Sequence, residues 1–297
     1  EVITTGFTFI STVEVVALMG AKPVLVDVRP DTFTIDPEQV RAAITPRTKA
    51  IVPVHLFGQM ADMDALMDIS DSSGVPIIED NAQAIGAAWC GEAHRHGQSG
   101  TFGLIGTTSF FPSKNLGCMG DGGAIVTSDA AVAARCKQIA NHGMVKQYHH
   151  DVVGINSRLD GLQAAILRVK LKHLRGYLAA RQAAAARYDA LLDTCHGVHI
   201  PVREHRSSHV FHQYTLKIEG GRRDALRAHL SEQGIPSGIY YPVPGHAQEA
   251  FSQFQYIPDA YPVSAELAQT VLSLPMHTEL TEEQQEFISD VIIKFIN

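Results

Sequence analysis

The residue of this chain best suited to covalent chemistry is a lysine set between a hydroxyl-rich segment and a run of glycines. Lys114 follows residues 109–113, Ser-Phe-Phe-Pro-Ser, and precedes Gly117, Gly120, Gly122 and Gly123. Close packing at the glycines removes water from the lysine, and desolvation lowers a lysine pKa and exposes an amine able to form a Schiff base. An ordinary lysine at a strand end fits this segment equally well, since glycine-rich turns are common.

A second segment supplies partners for such chemistry. Residues 76–86 begin as a short buried strand, pass through acids and continue to Gln83. Ligands of parallel α/β sheets bind at the carboxyl ends of strands, where Asp80 can hold a protonated pyridine nitrogen and Gln83 can bond a ring hydroxyl. Together with a Schiff-base lysine, this is the arrangement that pyridoxal phosphate requires to act as an electron sink. Asp80 alone is an ordinary strand-end acid, and its combination with Lys114 predicts the cofactor.

These segments belong to a longer series of blocks in which the chain resembles the DegT/StrS family of pyridoxal-phosphate-dependent sugar-nucleotide aminotransferases. The matching blocks follow the family order and are residues 4–12, 20–24, 54–59, 79–83, 109–114, 120–123 and 154–165. One block would be weak evidence, whereas seven in order argue against chance. The resemblance implies a pyridoxal-phosphate-dependent transferase of fold type I.

The resemblance also implies roles at the cofactor for residues in these blocks. Lys114 would form the Schiff base and move protons. Asp80 would pair with the pyridine nitrogen, and Gln83 would contact the ring hydroxyl. Ser109 matches the family serine that bonds the cofactor phosphate.

Further contacts are implied outside the strand-end segments. Phe9 would stack its ring on the pyridine face, although a core aromatic also fits this position. Asn156 would bond the phosphate of the neighbouring subunit's cofactor, which implies a homodimer with shared active sites. His55, Tyr241 and His246 are candidate substrate contacts, and an exposed loop histidine is an equally good interpretation of His246.

Apolar runs alternate with helical patterns along the chain, which is the signature of βαβ units and a mainly parallel sheet. We therefore expect an α/β fold with a sheet of the seven-stranded type in a large domain, followed by a smaller α+β domain. The large domain would span residues 1–195 and the small domain residues 196–297. One long connecting helix is expected from Leu159 to about Leu192, since apolar positions recur at helical spacing there.

The first residues of the chain lie inside what resembles a strand of the family. The chain begins at Glu1 without a methionine. In the family, the preceding segment carries a helix and a turn whose backbone amides cradle the cofactor phosphate. The resemblance therefore implies a fragment of a longer chain, with an incomplete phosphate cradle. The alternative is a polypeptide that binds pyridoxal phosphate poorly.

Composition argues against several other classes of protein. The 297 residues are 45% hydrophobic and 19% charged, which suffices for one large core and a smaller lobe. The net charge of −7 argues against nucleic-acid binding, and no apolar run reaches the roughly 20 residues of a membrane span. The 4 cysteines lack paired spacing and predict free thiols in a reducing cytoplasm. The histidine pairs lack the spacing of a metal site, so we predict none at His94, His96, His149 or His150.

The leading function implied by the family is transfer of an amino group from glutamate to a keto-sugar nucleotide. Residues 54–59, 148–151 and 156–160 most resemble members that aminate carbon 3 of a UDP-linked keto-N-acetylhexuronate or a related 3-keto sugar, for surface polysaccharides such as lipopolysaccharide. Members that act on dTDP- or UDP-linked 4-keto-6-deoxy sugars share most of these residues. The family resemblance also leaves room for a sugar dehydratase, with histidine at the lysine position, and for a non-catalytic relative. Lys114 argues against the dehydratase. The non-catalytic relative is disfavoured by the intact set of Asp80, Gln83, Ser109 and Lys114.

Overall fold

The computed structural model describes residues 1–91 and 95–297. They contain two main sheets with separate cores, and we call the part of the chain around the larger sheet the first lobe and the part around the three-stranded sheet of residues 198–274 the second lobe. Its strands are β1 Val2–Thr5, β2 Pro23–Val26, β3 Ala50–Val52, β4 Ile78–Asp80, β5 Ala88–Cys90, β6 His96–Gln98, β7 Ile105–Ser109, β8 Gly123–Val126, β9 Met144–Lys146, β10 His149–His150, β11 Val198–His199, β12 Tyr214–Ile218 and β13 Val271–Leu274. Its α-helices are α1 Ser11–Leu18, α2 Pro37–Ala43, α3 Met63–Ser73, α4 Ala130–Ala140, α5 Gly161–Leu171, α6 Leu174–Leu192, α7 Arg223–Glu232, α8 Pro262–Thr270 and α9 Glu282–Ile296.

The first lobe is built on a mainly parallel sheet to which the described residues supply six strands. β1 is parallel to β2 and β3, β4 is parallel to β7, and β8 is antiparallel to β7. Bridges from Ile51 to Ile77 and from Val54 to Asp80 join β3 to β4, which gives the order β2-β1-β3-β4-β7-β8. The predicted α/β class and mainly parallel sheet are confirmed. The segments that follow the parallel strands converge at one edge of the sheet.

Local signals in the sequence start the helices that cover this sheet. Asp36 and Pro37 have the pattern of an N-cap and a first helical residue, and the Asp36 side chain accepts a backbone N–H at the start of α2. Asp62 caps α3 in the same way. The buried face of α3 repeats at three-residue spacing and consists of Met63, Leu66 and Ile69. These side chains join the sheet residues Ile3, Ile51 and Ile77 in one core.

The second lobe is an α+β unit, as predicted, and the structure shows that its sheet is antiparallel. β12 lies between β11 and β13. The helices α7 and α9 and the C-terminal half of α6 share its core, which includes Tyr188, Leu192, Leu226, Leu230, Ile288 and Ile292. Residues 237–240 make a single bridge, between Gly238 and Ser273, at the edge of β13 that β12 leaves free. The domain boundary near residue 195 stays a prediction.

The prediction of one continuous connecting helix is wrong. The structure has two helices, α5 and α6, separated at Lys172 and His173. Leu167 of α5 packs with Leu116 close to Lys114 in sequence, whereas Leu178 of α6 belongs to the core of the large sheet. The break lets the two helices serve different cores, and neither proline nor glycine marks it in the sequence.

A buried carboxylate joins the two lobes. Asp27, which follows β2, accepts hydrogen bonds from the Ser264 N–H (2.9 Å), the Ser264 hydroxyl (2.5 Å) and the Val263 N–H (2.8 Å). Both donor residues lie in the first turn of α8. A carboxylate at a helix N-terminus is favoured by the helix dipole and by charge-assisted hydrogen bonds. Asp27 therefore ties the large sheet to a helix of the C-terminal part of the chain.

Replacing Asp27 with alanine is expected to lower the free energy of unfolding by about 3 kcal/mol or more, because several buried donors lose a charged acceptor. Denaturant unfolding measures this loss. Asp129→Ala is the matched control: Asp129 caps α4 through the N–H groups of Ala131 and Val132, but at an exposed position. Its loss is expected to cost about 1 kcal/mol. Equal losses in the two variants would contradict the anchoring role of Asp27.

Candidate active site

The edge where the parallel strands end opens into a cavity of about 660 Å³. The ends of β4 and β7 form one wall, and residues 239–241 of the second lobe form another. Five of the six predicted cofactor residues line this cavity, namely Phe9, Asp80, Gln83, Ser109 and Lys114. The structure thus brings together residues that are dispersed along the first lobe of the sequence.

Lys114 lies on a tight turn that follows β7. Its backbone N–H donates to the Phe111 carbonyl (2.9 Å), and Gly117 lies so close to the Pro112 carbonyl that a side chain has no room there. Burial lowers the pKa of the Lys114 amine, and the nearby Asp80 carboxylate partly opposes this shift. The amine therefore loses its proton more readily than that of a surface lysine, as nucleophilic chemistry requires.

Asp80 is held by hydrogen bonds at both carboxylate oxygens. The Thr12 hydroxyl donates to Oδ2 (2.7 Å), and the Ala82 N–H donates to Oδ1 (3.1 Å). These bonds fix the carboxylate at the end of β4, in the wall of the cavity. Thr12 lies in a matched block, but nothing in that block marks it as a partner of Asp80. A hydroxyl at the start of a helix gives no sign of a partner 68 residues away.

Gln83 connects the two lobes across the cavity. Its Oε1 accepts the Phe57 N–H (2.6 Å), and its Nε2 donates to the Tyr241 hydroxyl (3.0 Å). Because a backbone N–H can only donate, the atom beside Phe57 must be the oxygen of the amide. The NH₂ group of Gln83 therefore lies on the side of the cavity. Tyr241, a predicted substrate contact, also lines the cavity.

Ser109 and Phe9 are the remaining predicted cofactor residues that line the cavity. The Ser109 hydroxyl oxygen accepts the Phe111 N–H (3.2 Å), which leaves its own proton able to donate. Phe9 is 55% exposed, and its ring centroid lies 6.1 Å from that of Tyr241. Phe9 is thus not a core aromatic in this structure. The cofactor contacts of both residues stay predictions.

Asn156 lies away from the cavity of its own chain. It is exposed, bridges Asn141 and accepts a hydrogen bond from the Arg158 guanidinium (3.0 Å). It does not line the cavity that contains Lys114. A role at the cofactor would require a second subunit, and this role stays a prediction.

Two predicted substrate contacts do not reach the cavity in the described structure. His55 is fully buried, and its ring nitrogens bond Glu79 (2.9 Å) and the Ala61 N–H (3.2 Å). His55 therefore does not line the cavity in this structure, because tertiary burial uses both ring nitrogens, and its contact with substrate stays a prediction. His246 stacks on Tyr261, with ring centroids 4.5 Å apart, and does not line the cavity.

One further histidine lines the cavity without having been identified from the sequence. His212 is 7% exposed, and its Nδ1 has no hydrogen-bond partner among the residues that the structure describes. Burial lowers the pKa of His212, and the positive charges of Lys114 and Arg181 lower it further. The imidazole is therefore uncharged in the cavity wall. His212 lies in the segment between β11 and β12, and no sequence motif there marks it as a site residue.

The described residues show neither a metal centre nor a membrane span. Within 1–91 and 95–297, no group of three or more His, Cys, Asp and Glu side chains is placed to hold a metal ion. His94 lies outside the described residues. No helix in the described part of the chain is long and apolar enough to cross a bilayer.

A sheet-edge cavity with a desolvated lysine, a fixed carboxylate and an amide donor defines a lysine-dependent cofactor enzyme of the α/β class. The chain belongs to the DegT/DnrJ/EryC1/StrS aminotransferase family, whose model matches residues 1–293. It is therefore a pyridoxal-phosphate-dependent aminotransferase, and the predicted family and reaction class are confirmed.

Individual relatives agree with this assignment. The chain is 48% identical to a "pleiotropic regulatory protein" of Geobacillus stearothermophilus, over 99% of this chain and 78% of the relative. It is 47% identical to a UDP-2-acetamido-2-deoxy-3-oxo-D-glucuronate aminotransferase of Pseudomonas aeruginosa, over 94% and 75%. The crystal structure of S. venezuelae DesV in complex with a ketimine intermediate superposes with a TM-score of 0.94 at 40% identity, covering 100% of this chain and 78% of that chain. Fold type I is thereby confirmed.

Pyridoxal phosphate is the cofactor of this class, as predicted. The donor set in the cavity fits it: an amine of lowered pKa, a carboxylate held at both oxygens, the NH₂ end of an amide and a hydroxyl with a proton to donate. When bound, the cofactor supplies an aldehyde for an amine and a ring that accepts electrons from the reacting carbon.

Proposed function

We propose that this enzyme transfers an amino group from glutamate to carbon 3 of a UDP-linked keto-N-acetylhexuronate or a related 3-keto sugar nucleotide. The observation that carries the proposal is the 47% identity to the P. aeruginosa relative, which is named for a UDP-linked 3-oxo-glucuronate. Such an activity belongs to the cytoplasmic synthesis of surface polysaccharides, lipopolysaccharide among them.

In this proposal each cavity residue has a defined role when pyridoxal phosphate is bound. Lys114 would hold the cofactor through its aldehyde carbon, and its free amine would carry a proton to and from the reacting carbon. Asp80 keeps a proton on the pyridine nitrogen, since its fixed carboxylate favours a positive charge there. Gln83 donates to the ring hydroxyl through Nε2, Ser109 donates to the phosphate, and Phe9 covers a face of the ring.

A panel of nucleotide sugars tests the substrate assignment. The holoenzyme is incubated with glutamate and with UDP-linked 3-keto, UDP-linked 4-keto-6-deoxy and dTDP-linked 4-keto-6-deoxy sugars, and 2-oxoglutarate release is measured. We expect the highest kcat/KM for the UDP-linked 3-keto-N-acetylhexuronate. A preference for a 4-keto-6-deoxy sugar would establish that second substrate class. Failure to release 2-oxoglutarate with every sugar would favour a regulatory role, the function by which the G. stearothermophilus relative is named.

We also propose that the active unit is a homodimer and that Asn156 acts at the partner's cofactor phosphate. Asn156 is exposed and lies outside the cavity of its own chain. In the segment that precedes it in the sequence, the side chains of Val145, Tyr148 and Val153 are 77%, 82% and 96% exposed. A cluster of exposed apolar side chains marks an interaction surface. A two-fold interface at this surface would place each Asn156 beside the other subunit's site.

Mixing two inactive variants tests the shared site. Lys114→Ala and Asn156→Ala are each expected to be strongly disabled, whereas a mixed dimer has one site with both residues intact. Random exchange makes half of the dimers mixed, so activity should recover to about a quarter of the wild-type value. Tagged pull-down confirms that subunits have exchanged. Confirmed heterodimers without recovery would show that Asn156 does not act across the interface.

A further inference from the structure

Two buried side chains behind the cavity form a hydrogen-bonded pair that none of the tasks above uses. His55 and Glu79 are both 0% exposed, and His55 Nε2 lies 2.9 Å from a Glu79 carboxylate oxygen. The carboxylate also accepts the backbone N–H groups of Gly100 (2.7 Å), Phe102 (2.6 Å) and Gly103 (2.7 Å). Burial raises the pKa of Glu79, but the bond from His55 and the amide donors outweigh it and hold the pKa below its usual value.

The bonds of His55 determine which nitrogen carries the proton. Nδ1 lies 3.2 Å from the Ala61 N–H, and a backbone N–H can only donate. Nδ1 is therefore the acceptor, and Nε2 carries the hydrogen that points to Glu79. The imidazole thus bonds the buried Glu79 carboxylate through Nε2 and Ala61, the last residue of the 56–61 turn, through Nδ1.

This turn carries the N–H group that orients Gln83. Phe57 has a left-handed backbone, with a φ of 57°, and donates its N–H to Gln83 Oε1 (2.6 Å). A non-glycine residue adopts such a φ only at a cost in free energy, so the surrounding contacts must hold the turn. His55 begins the turn, its backbone N–H bonds the Asp80 carbonyl (3.0 Å), and its ring bonds Ala61 at the end of the turn.

Glu79 and Asp80 serve opposite faces of the same strand. Successive side chains of a β-strand point to opposite sides. Asp80 lines the cavity, whereas Glu79 is fully buried behind it. The bonds to Glu79 therefore hold the end of β4 from the interior, while Asp80 and Gln83 face the ligand.

We propose that His55 and Glu79 are positioning residues of the aminotransferase reaction: they hold the 56–61 turn so that the Phe57 N–H fixes Gln83 with its NH₂ group toward the cofactor. Without this hold, the amide of Gln83 can rotate and present its oxygen, which repels an oxygen anion on the ring. The proposal rests on the proposed contact between Gln83 and the ring hydroxyl, but not on the identity of the sugar.

The measurable consequence lies in the cofactor and not in protein stability alone. A hydrogen bond donated to an oxygen anion favours the deprotonated form and lowers its pKa. Weakening the Gln83 donor is therefore expected to move the midpoint of the holoenzyme's absorbance titration to higher pH. Loss of a charge-assisted bond is also expected to weaken pyridoxal phosphate binding about tenfold.

His55→Asn is the first variant for this test. Its side-chain oxygen can still accept the Ala61 N–H, but it no longer reaches Glu79. The dissociation constant of pyridoxal phosphate and the titration midpoint are measured in wild type, His55→Asn, Gln83→Ala and the double variant. If His55 acts through Gln83, its substitution changes both quantities in the wild type and neither in the Gln83→Ala background.

Two results would overturn the proposal. One is a His55→Asn protein that is less stable to denaturant but binds and titrates the cofactor as wild type does. The other is an equal effect in both backgrounds. If His55→Asn does not fold, His55→Gln replaces it, since glutamine keeps a donor to Glu79 and loses only the acceptor for Ala61. The proposal is supported if His55→Gln weakens pyridoxal phosphate binding in the wild type and has no effect on it in the Gln83→Ala background. It is overturned if His55→Gln leaves pyridoxal phosphate binding unchanged.

Discussion

Lys114→Ala is expected to abolish the absorbance band of the Schiff base between lysine and cofactor and to lower glutamate-dependent turnover by about a thousandfold or more, because alanine provides neither a nucleophile nor a proton carrier. The fold should survive, since Lys114 is only partly buried and lies on the cavity wall. Spectra, turnover and circular dichroism measure the three quantities.

Lys294→Ala serves as the control for this experiment. Lys294 lies on α9 with 78% of its side chain exposed, and its replacement should leave spectrum and turnover unchanged. Substantial turnover in Lys114→Ala would rule out the lysine as the covalent residue. Lys114 would then be only a partly buried amine beside Asp80.

Asp80→Asn is expected to retain the cofactor but to reduce turnover by about a hundredfold or more, because a neutral amide does not hold the proton on the pyridine nitrogen. The amide is similar in size and can keep a hydrogen bond with the Ala82 N–H. Since the Asp80 charge raises the pKa of Lys114, its removal should also lower that pKa further.

Thr12→Val separates charge from positioning in this second experiment. The variant removes the hydroxyl that donates to Asp80 Oδ2 but leaves the carboxylate charged. We expect turnover to fall by less than about tenfold, because Asp80 loses one hydrogen bond but keeps the one from the Ala82 N–H. Near-normal turnover in Asp80→Asn would show that Asp80 is only a strand-end acid.

Much of this site could be predicted from the sequence because the rule for parallel sheets is local. Asp80 follows one strand and Lys114 follows another, and the carboxyl ends of such strands meet at one edge. The chemistry of the residues then selects the cofactor. The matched blocks added Ser109 and Phe9, which also line the cavity.

The remaining features depend on tertiary contacts that no local pattern records. His55 lies in a matched block, yet only packing against Glu79 shows that it faces the interior. Thr12 reaches Asp80, and His212 reaches the cavity, from distant segments without a motif of their own. The break between α5 and α6 escaped prediction because Leu167 of α5 and Leu178 of α6 pack in different cores, and no helix-breaking residue marks the change.

The carboxylate of Asp27 limits how this enzyme can be recombined with its relatives. A chimaera that exchanges the C-terminal part of the chain also exchanges Val263 and Ser264, the donors to this buried charge. If the relative that supplies the C-terminal part has no hydroxyl at position 264, part of the Asp27 charge stays uncompensated in the interior, at a substantial cost in stability. Libraries that graft new substrate specificity onto the first lobe should therefore transfer position 27 and position 264 as one unit.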